Sequence, residues 1–123
     1  MKYVSTNKAP AAIGPYSQAV SHGGLVYTSG QIALTPTGEM IEEDVVKQTH
    51  QVFKNLTAVL NEANSSLQKV LKANIFLASM DDFVTVNEIY AEYFGDHKPA
   101  RATVAVKTLP KNALIEIDCI AVI

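Results

Sequence analysis

Cysteine occurs once in the 123 residues, as Cys119, and tryptophan not at all. A lone thiol excludes an internal disulfide and any CxxC metal site, and it fits a reducing compartment. Histidine is nearly as scarce: His22, His50 and His97 stand apart, with no metal-ligand spacing between them. The strings GxSxG, GxxxxGK[ST], HExxH and GxGxxG are all missing, which removes the common nucleophile, nucleotide and zinc signatures. No stretch approaches the ~20 apolar residues of a membrane span, and MKYVSTNKAPAAIG lacks a signal-peptide core, so a cytoplasmic protein with no membrane partner is expected. The formal net charge is -2 and the ten Lys and Arg are scattered. No basic field of the kind a phosphate backbone needs is therefore present, which argues against a nucleic-acid partner. With 48% hydrophobic residues, no repeat and no Gly/Ser linker, residues 1–123 read as one domain.

What is present is a clear alternation of periods. Lys2 to Val4, Gln18 to Ser21, Leu25 to Leu34 and Val70 to Ala78 read as strands, the second and third joined at the turn His22-Gly23-Gly24. Gly30 interrupts the third strand, as a bulge or as a place where a ligand comes close. The segment from Ala12 to Gln18 is apolar yet turn-rich, and it lifts the Tyr16 hydroxyl out of a packed loop. After the turn Thr35-Pro36-Thr37-Gly38, the acids Glu42, Glu43 and Asp44 precede a helix of about five turns. Its stripe runs Val45, Thr49, Val52, Phe53, Leu56, Val59, Leu60 and Ala63. His50 falls off that stripe and reads as a solvated helix residue. Ser79 to Asp82 gives a capping-box spacing before a second helix with Phe83, Val86, Tyr90 and Phe94 on one face, ended by Gly95. The order is three strands, helix, strand, helix, two strands. Two crossovers favour parallel pairs with both helices on one face of the sheet, leaving the other face to be covered by a second copy of the chain.

The last quarter, Lys98 to Ile123, places charge inside apolar strands. Arg101, Thr103 and Ala105 alternate against Ala102, Val104 and Val106. Beyond Pro110-Lys111-Asn112, Ile115, Ile117, Cys119 and Ala121 form a face on which Cys119 reads as core, and Glu116 and Asp118 share the opposite one. An ion in such a strand reaches water, finds a partner or serves a ligand. A direct hairpin would leave Arg101 and Glu116 roughly 13 Å apart. Either these strands are not neighbours, or the two groups meet different partners, including across a subunit boundary.

Five separated stretches, in order, carry a specific resemblance: Ala9 to Ala19 (APAAIGPYSQA); Thr28 to Ile32 (TSGQI); Asp82-Phe83 with Val86-Asn87 and Tyr90; Pro99 to Val104 (PARATV); and Leu109-Pro110-Lys111 leading to Ile115-Glu116-Ile117. Over essentially its whole length the sequence resembles the RidA (YjgF/YER057c/UK114) family of enamine/imine deaminases. The resemblance implies a chorismate-mutase-like α+β fold with a mixed six-stranded sheet and two helices on one face, assembled as a homotrimer with clefts between subunits. It implies hydrolysis of 2-enamino and 2-imino acids of the 2-aminoacrylate/2-iminopropanoate class to 2-oxo acids and ammonia, without metal or cofactor. Arg101 matches the residue that holds the substrate carboxylate, Tyr16 and Glu116 match residues lining the pocket, and Ser29, Gly30 and Asn87 match further pocket positions; by their chemistry Glu116 and the Tyr16 hydroxyl are the groups available to deliver water and move a proton, catalytic roles beside Arg101. Thr103 stands where several members have cysteine, so a mechanism that needs a thiol there is not open to this chain. Two other readings stand beside the enzyme: a trimeric 2-oxo-acid-binding regulatory module without turnover, and a ribonuclease or translation inhibitor, which the near-neutral charge disfavours.

Overall fold

The computed structural model describes Met1–Ile123, with strands β1 (Lys2–Val4), β2 (Ala19–His22), β3 (Leu25–Thr28), β4 (Val70–Leu77), β5 (Ala100–Ala105) and β6 (Ile115–Val122), and helices α1 (Val45–Glu62) and α2 (Phe83–Phe94). The fold is α+β. Asp44 caps α1 by accepting from the Lys47 N–H at 3.0 Å. Of the three acids before the helix, Glu42 instead pairs with the Lys47 ammonium. The far end closes with Asn64 in the left-handed region at φ 62°, its N–H on the Asn61 carbonyl and that of Ser65 on the Leu60 carbonyl, a Schellman arrangement made without glycine. Between these caps Val52, Phe53, Leu56, Val59 and Leu60 are fully buried, each stabilising the fold by about 1.5–3 kcal/mol. No helix is long and apolar enough to cross a membrane.

The six strands form one sheet in the order β1-β2-β3-β6-β4-β5, and only β4 and β5 pair in parallel. The expected parallel pairing at both crossovers therefore holds for α2 and not for α1. The crossover through α1 skips a position, and β6 returns antiparallel between β3 and β4 to fill it. β5 and β6 are not neighbours, because β4 lies between them. On the face toward the helices, Val26, Ala73, Ile75, Leu77, Ile115, Ile117, Cys119 and Ala121 are buried and join the α1 stripe in one core. The opposite face carries Tyr3 at 74% exposure, Tyr27 at 45% and Val104 at 47%, and nothing in the chain covers it.

β3 is shorter than the expected run to Leu34. It stops at Thr28, the Ser29 N–H turns back to the Gln18 carbonyl, and pairing with β6 resumes where Gln31 meets Ile117. Four steps from Tyr27 to Gln31 (31 − 27) face three from Ile120 to Ile117 (120 − 117), so one extra residue is bulged out at Ser29-Gly30. Past the bulge, the fully buried Asn55 of α1 donates from Nδ2 to the carbonyls of Ile32 (3.2 Å) and Leu34 (2.9 Å), standing in for a strand partner. Asn55→Leu strands both carbonyls, and urea unfolding is expected to show a loss of about 2–4 kcal/mol.

Two further local expectations change. His50 is half-buried and not solvated, with Nδ1 at 2.8 Å from the Tyr93 hydroxyl, which ties α1 to α2. Ser79 caps the short 3-10 turn Met80–Asp82 through the Asp81 N–H and does not cap α2 itself.

Candidate functional site

The residues singled out in the sequence gather into two groups, and the sheet register decides their separation. Arg101 pairs with Ala73, and Ala73 with Cys119, so Arg101 points to the helix side. Glu116 pairs with Phe76 and points to the open side. Within one chain the two charged groups lie on opposite faces.

The open-side group lines a cavity of about 600 Å³ with Tyr16, Ser29, Gly30, Gln31, Lys111 and Glu116 among its walls. The bulge builds its floor. Ser29 Oγ donates to the Ser17 carbonyl at 2.5 Å, fastening the loop that carries Tyr16, whose ring is 55% exposed. At Gly30 the need for glycine is close approach: a Cβ there would lie 2.5 Å from Glu116 Oε2 and 2.8 Å from its Cδ. Lys111, at the cavity wall, takes the left-handed conformation at φ 55°. Partial burial, and then the neighbouring Asp118 carboxylate, raise the Glu116 carboxyl above the usual carboxylate range. Asp118 shares the open face and accepts from Asn74 Nδ2 at 2.7 Å.

The helix-side group is built around Arg101 at the free edge of the sheet. Its Nη1 donates to Asn87 Oδ1 at 2.6 Å, and its guanidinium carbon stands 4.8 Å from the centroid of the Tyr90 ring and 5.7 Å from that of Phe83. Lys47 and Glu42 form the only ion pair in the chain, so Arg101 meets no carboxylate. A cavity of about 320 Å³ opens beside it, walled by Asn87, Tyr90, Phe94, His97 and Lys98. Thr103, two residues along β5, has a buried hydroxyl with no hydrogen-bond partner.

Cys119 is core, its thiol pushed up to about 11, chiefly by burial. His97 donates from Nε2 to the Val70 carbonyl at 2.7 Å, a structural bond beside β4. Reading the sequence residue by residue missed Asn74 as the partner of Asp118, Lys111 as a wall of the Glu116 cavity, and Phe83 and Tyr90 as the rings beneath Arg101. For the last pair a signal existed: Phe83, Asn87 and Tyr90 recur at four- and three-residue spacing, one side of α2.

The chain is similar to known proteins over nearly all of its length. The family model described as "Endoribonuclease L-PSP" matches residues 6–123. The mouse (Mus musculus) 2-iminobutanoate/2-iminopropanoate deaminase is 48% identical over 122 residues, covering 98% of this chain and 90% of its own. The chloroplastic Reactive Intermediate Deaminase A of Arabidopsis thaliana is 52% identical over 119 residues, 96% of this chain and 64% of its own length. Among solved structures, E. coli TdcF with bound serine superposes with a TM-score of 0.94 at 40% identity, covering all of this chain and 99% of that one. By the extent of the match and the identity of these relatives, the chain belongs to the endoribonuclease L-PSP family, the group that includes the YjgF and RidA proteins.

Proposed function

We propose that the protein hydrolyses 2-imino acids of the 2-iminopropanoate class, and the 2-enamino acids that tautomerise to them, releasing 2-oxo acids and ammonia. The observation that carries this reading is an arginine aimed by a neutral side chain, Asn87, with no acid to neutralise it. The deaminase names of the mouse and Arabidopsis relatives supply the reaction class, and the serine bound to TdcF supports a small amino-acid-like ligand.

The two groups face away from each other in one chain, so a complete site joins Arg101, Asn87 and Thr103 of one protomer to Tyr16, Ser29, Gly30 and Glu116 of another. A homotrimer with three such clefts also covers the exposed sheet face bearing Tyr3, Tyr27 and Val104. In that cleft the guanidinium fork grips the carboxylate and the Gly30 N–H approaches it unobstructed. Water oxygen bonds to C2 while the C=N electron pair moves to nitrogen. Glu116, assisted by the Tyr16 hydroxyl, takes the water proton and passes it to that nitrogen. Ammonia then leaves as the C2 hydroxyl gives its proton to the regenerated Glu116 carboxylate and becomes the carbonyl. The iminium is already electrophilic, so positioning supplies most of what the reaction needs.

The decisive experiment adds the protein to a serine dehydratase turning over serine and follows pyruvate and ammonia. Faster release is expected, together with a trimeric mass in sedimentation. An unchanged rate overturns the enzymatic reading, and 2-oxo acid binding with no faster imine decay assigns the chain to the binding-module class instead. A pH profile gives a finer check. The base form of Glu116 acts, so the acidic limb of kcat/KM is expected above the ordinary carboxylate range. Asp118→Asn removes a like charge that raises this group, and the limb should move to lower pH.

A further inference from the structure

We propose that Tyr90 and Phe83 are positioning residues that hold the Arg101 guanidinium by its faces, leaving its fork of N–H donors for the ligand. The inference rests on the reading that Arg101 binds a carboxylate, and it concerns how the arginine is kept fit for that task. A charged side chain on an exposed edge strand can be fixed by an acid, which would also cancel the charge that a carboxylate ligand seeks. Here the holding is done otherwise.

Asn87 engages Nη1 alone, at 2.6 Å. The rings of Tyr90 and Phe83, at 4.8 and 5.7 Å, attract the cation through their π faces, and neither residue accepts a hydrogen bond from it. The three residues recur on one side of α2, so a single rigid helix sets all the contacts. Tyr90 is itself packed into the core. It is 8% exposed, meets Phe53 of α1 edge-on at 6.1 Å, and lies 4.4 Å from Phe94. The guanidinium therefore rests on a shelf continuous with the hydrophobic core.

The hydroxyl of Tyr90 is buried without any hydrogen-bond partner. It contributes nothing visible to the contact, so the ring is the working part and phenylalanine should replace it. Removing an unsatisfied buried oxygen is neutral or stabilising.

The test uses the full-length chain, with 2-oxobutanoate as the calorimetric probe and an imine generated in situ as substrate. Tyr90→Leu is expected to weaken 2-oxobutanoate binding about tenfold and to raise KM by a similar factor, with kcat changed far less. Tyr90→Phe should recover most of that affinity and melt no lower than the wild type. Should Tyr90→Leu not fold, Phe83→Leu, at a half-buried position, is expected to weaken binding about threefold. A second readout needs no ligand: in nitrogen-15 NMR the Arg101 Nε–H proton of the wild type should be displaced upfield by the rings and return toward the free-arginine position in the leucine variant. An undisplaced Arg101 signal, or a Tyr90→Phe variant as impaired as Tyr90→Leu, overturns the inference. A displaced signal in a wild type that binds no 2-oxobutanoate upholds the ring contact and overturns the reading of Arg101 as a carboxylate site.

Discussion

Arg101→Ala is expected to lower kcat/KM for 2-imino acid hydrolysis about 100- to 1000-fold, which corresponds to roughly 3–4 kcal/mol, or two charge-assisted hydrogen bonds. Stability should hardly change. Arg101 is exposed at the sheet edge and forms no ion pair, so its removal leaves no buried charge behind. Arg101→Lys keeps the charge and loses the planar fork and the fit to the rings of Tyr90 and Phe83, and it should recover only a small part of the activity. The comparison is made by steady-state kinetics beside thermal melts of the same samples. A lysine variant near wild-type activity would mean that a point charge suffices and that the carboxylate grip is wrongly drawn.

Gly30→Ala is the second large effect, and it acts through another residue. A methyl group at Gly30 would fall within 2.5–2.8 Å of the Glu116 carboxylate. The carboxylate is the far end of a flexible side chain, so it swings away and the backbone stays. The expected result is a fall in kcat of about 100-fold or more, the size of a lost proton-transfer group, with little change in melting temperature. Since the same group is lost either way, Gly30→Ala combined with Glu116→Gln should be hardly worse than Glu116→Gln alone. Multiplying effects in the double variant would show that Gly30 matters for its own N–H or for the bulge, and not for the room it leaves.

The elements were legible in the sequence wherever a periodic pattern is local. The α1 stripe from Val52 to Leu60, the alternation of Ile115, Ile117 and Cys119, and the breaks at Gly95 and Pro110 each report on a neighbourhood of a few residues. Strand order is a different kind of fact. That β6 inserts between β3 and β4 depends on pairings made across the whole chain, such as Asn74 with Asp118, and no local pattern encodes them. The same limit governs the site. Alternation placed Glu116 and Asp118 on one face of their own strand, and Arg101 and Thr103 on one face of theirs. Only the register through Ala73 relates the two strands and puts Arg101 on the other face of the sheet from Glu116. Asn87 reads in the helix pattern as a residue at the edge of an apolar stripe. Its bond to Arg101 depends on the parallel pairing that brings β5 beside β4 and close to α2.

Cys119 has a practical consequence for anyone wishing to watch this protein. Its sulfur is buried and its thiol is pushed up to about 11, so at neutral pH the thiolate that alkylating dyes require is scarce as well as out of reach. A cysteine introduced on the outer side of α1, by Lys54→Cys for instance, would be the only sulfur a maleimide fluorophore reaches. The natural chain is thus ready for single-dye spectroscopy, with no background mutation needed first.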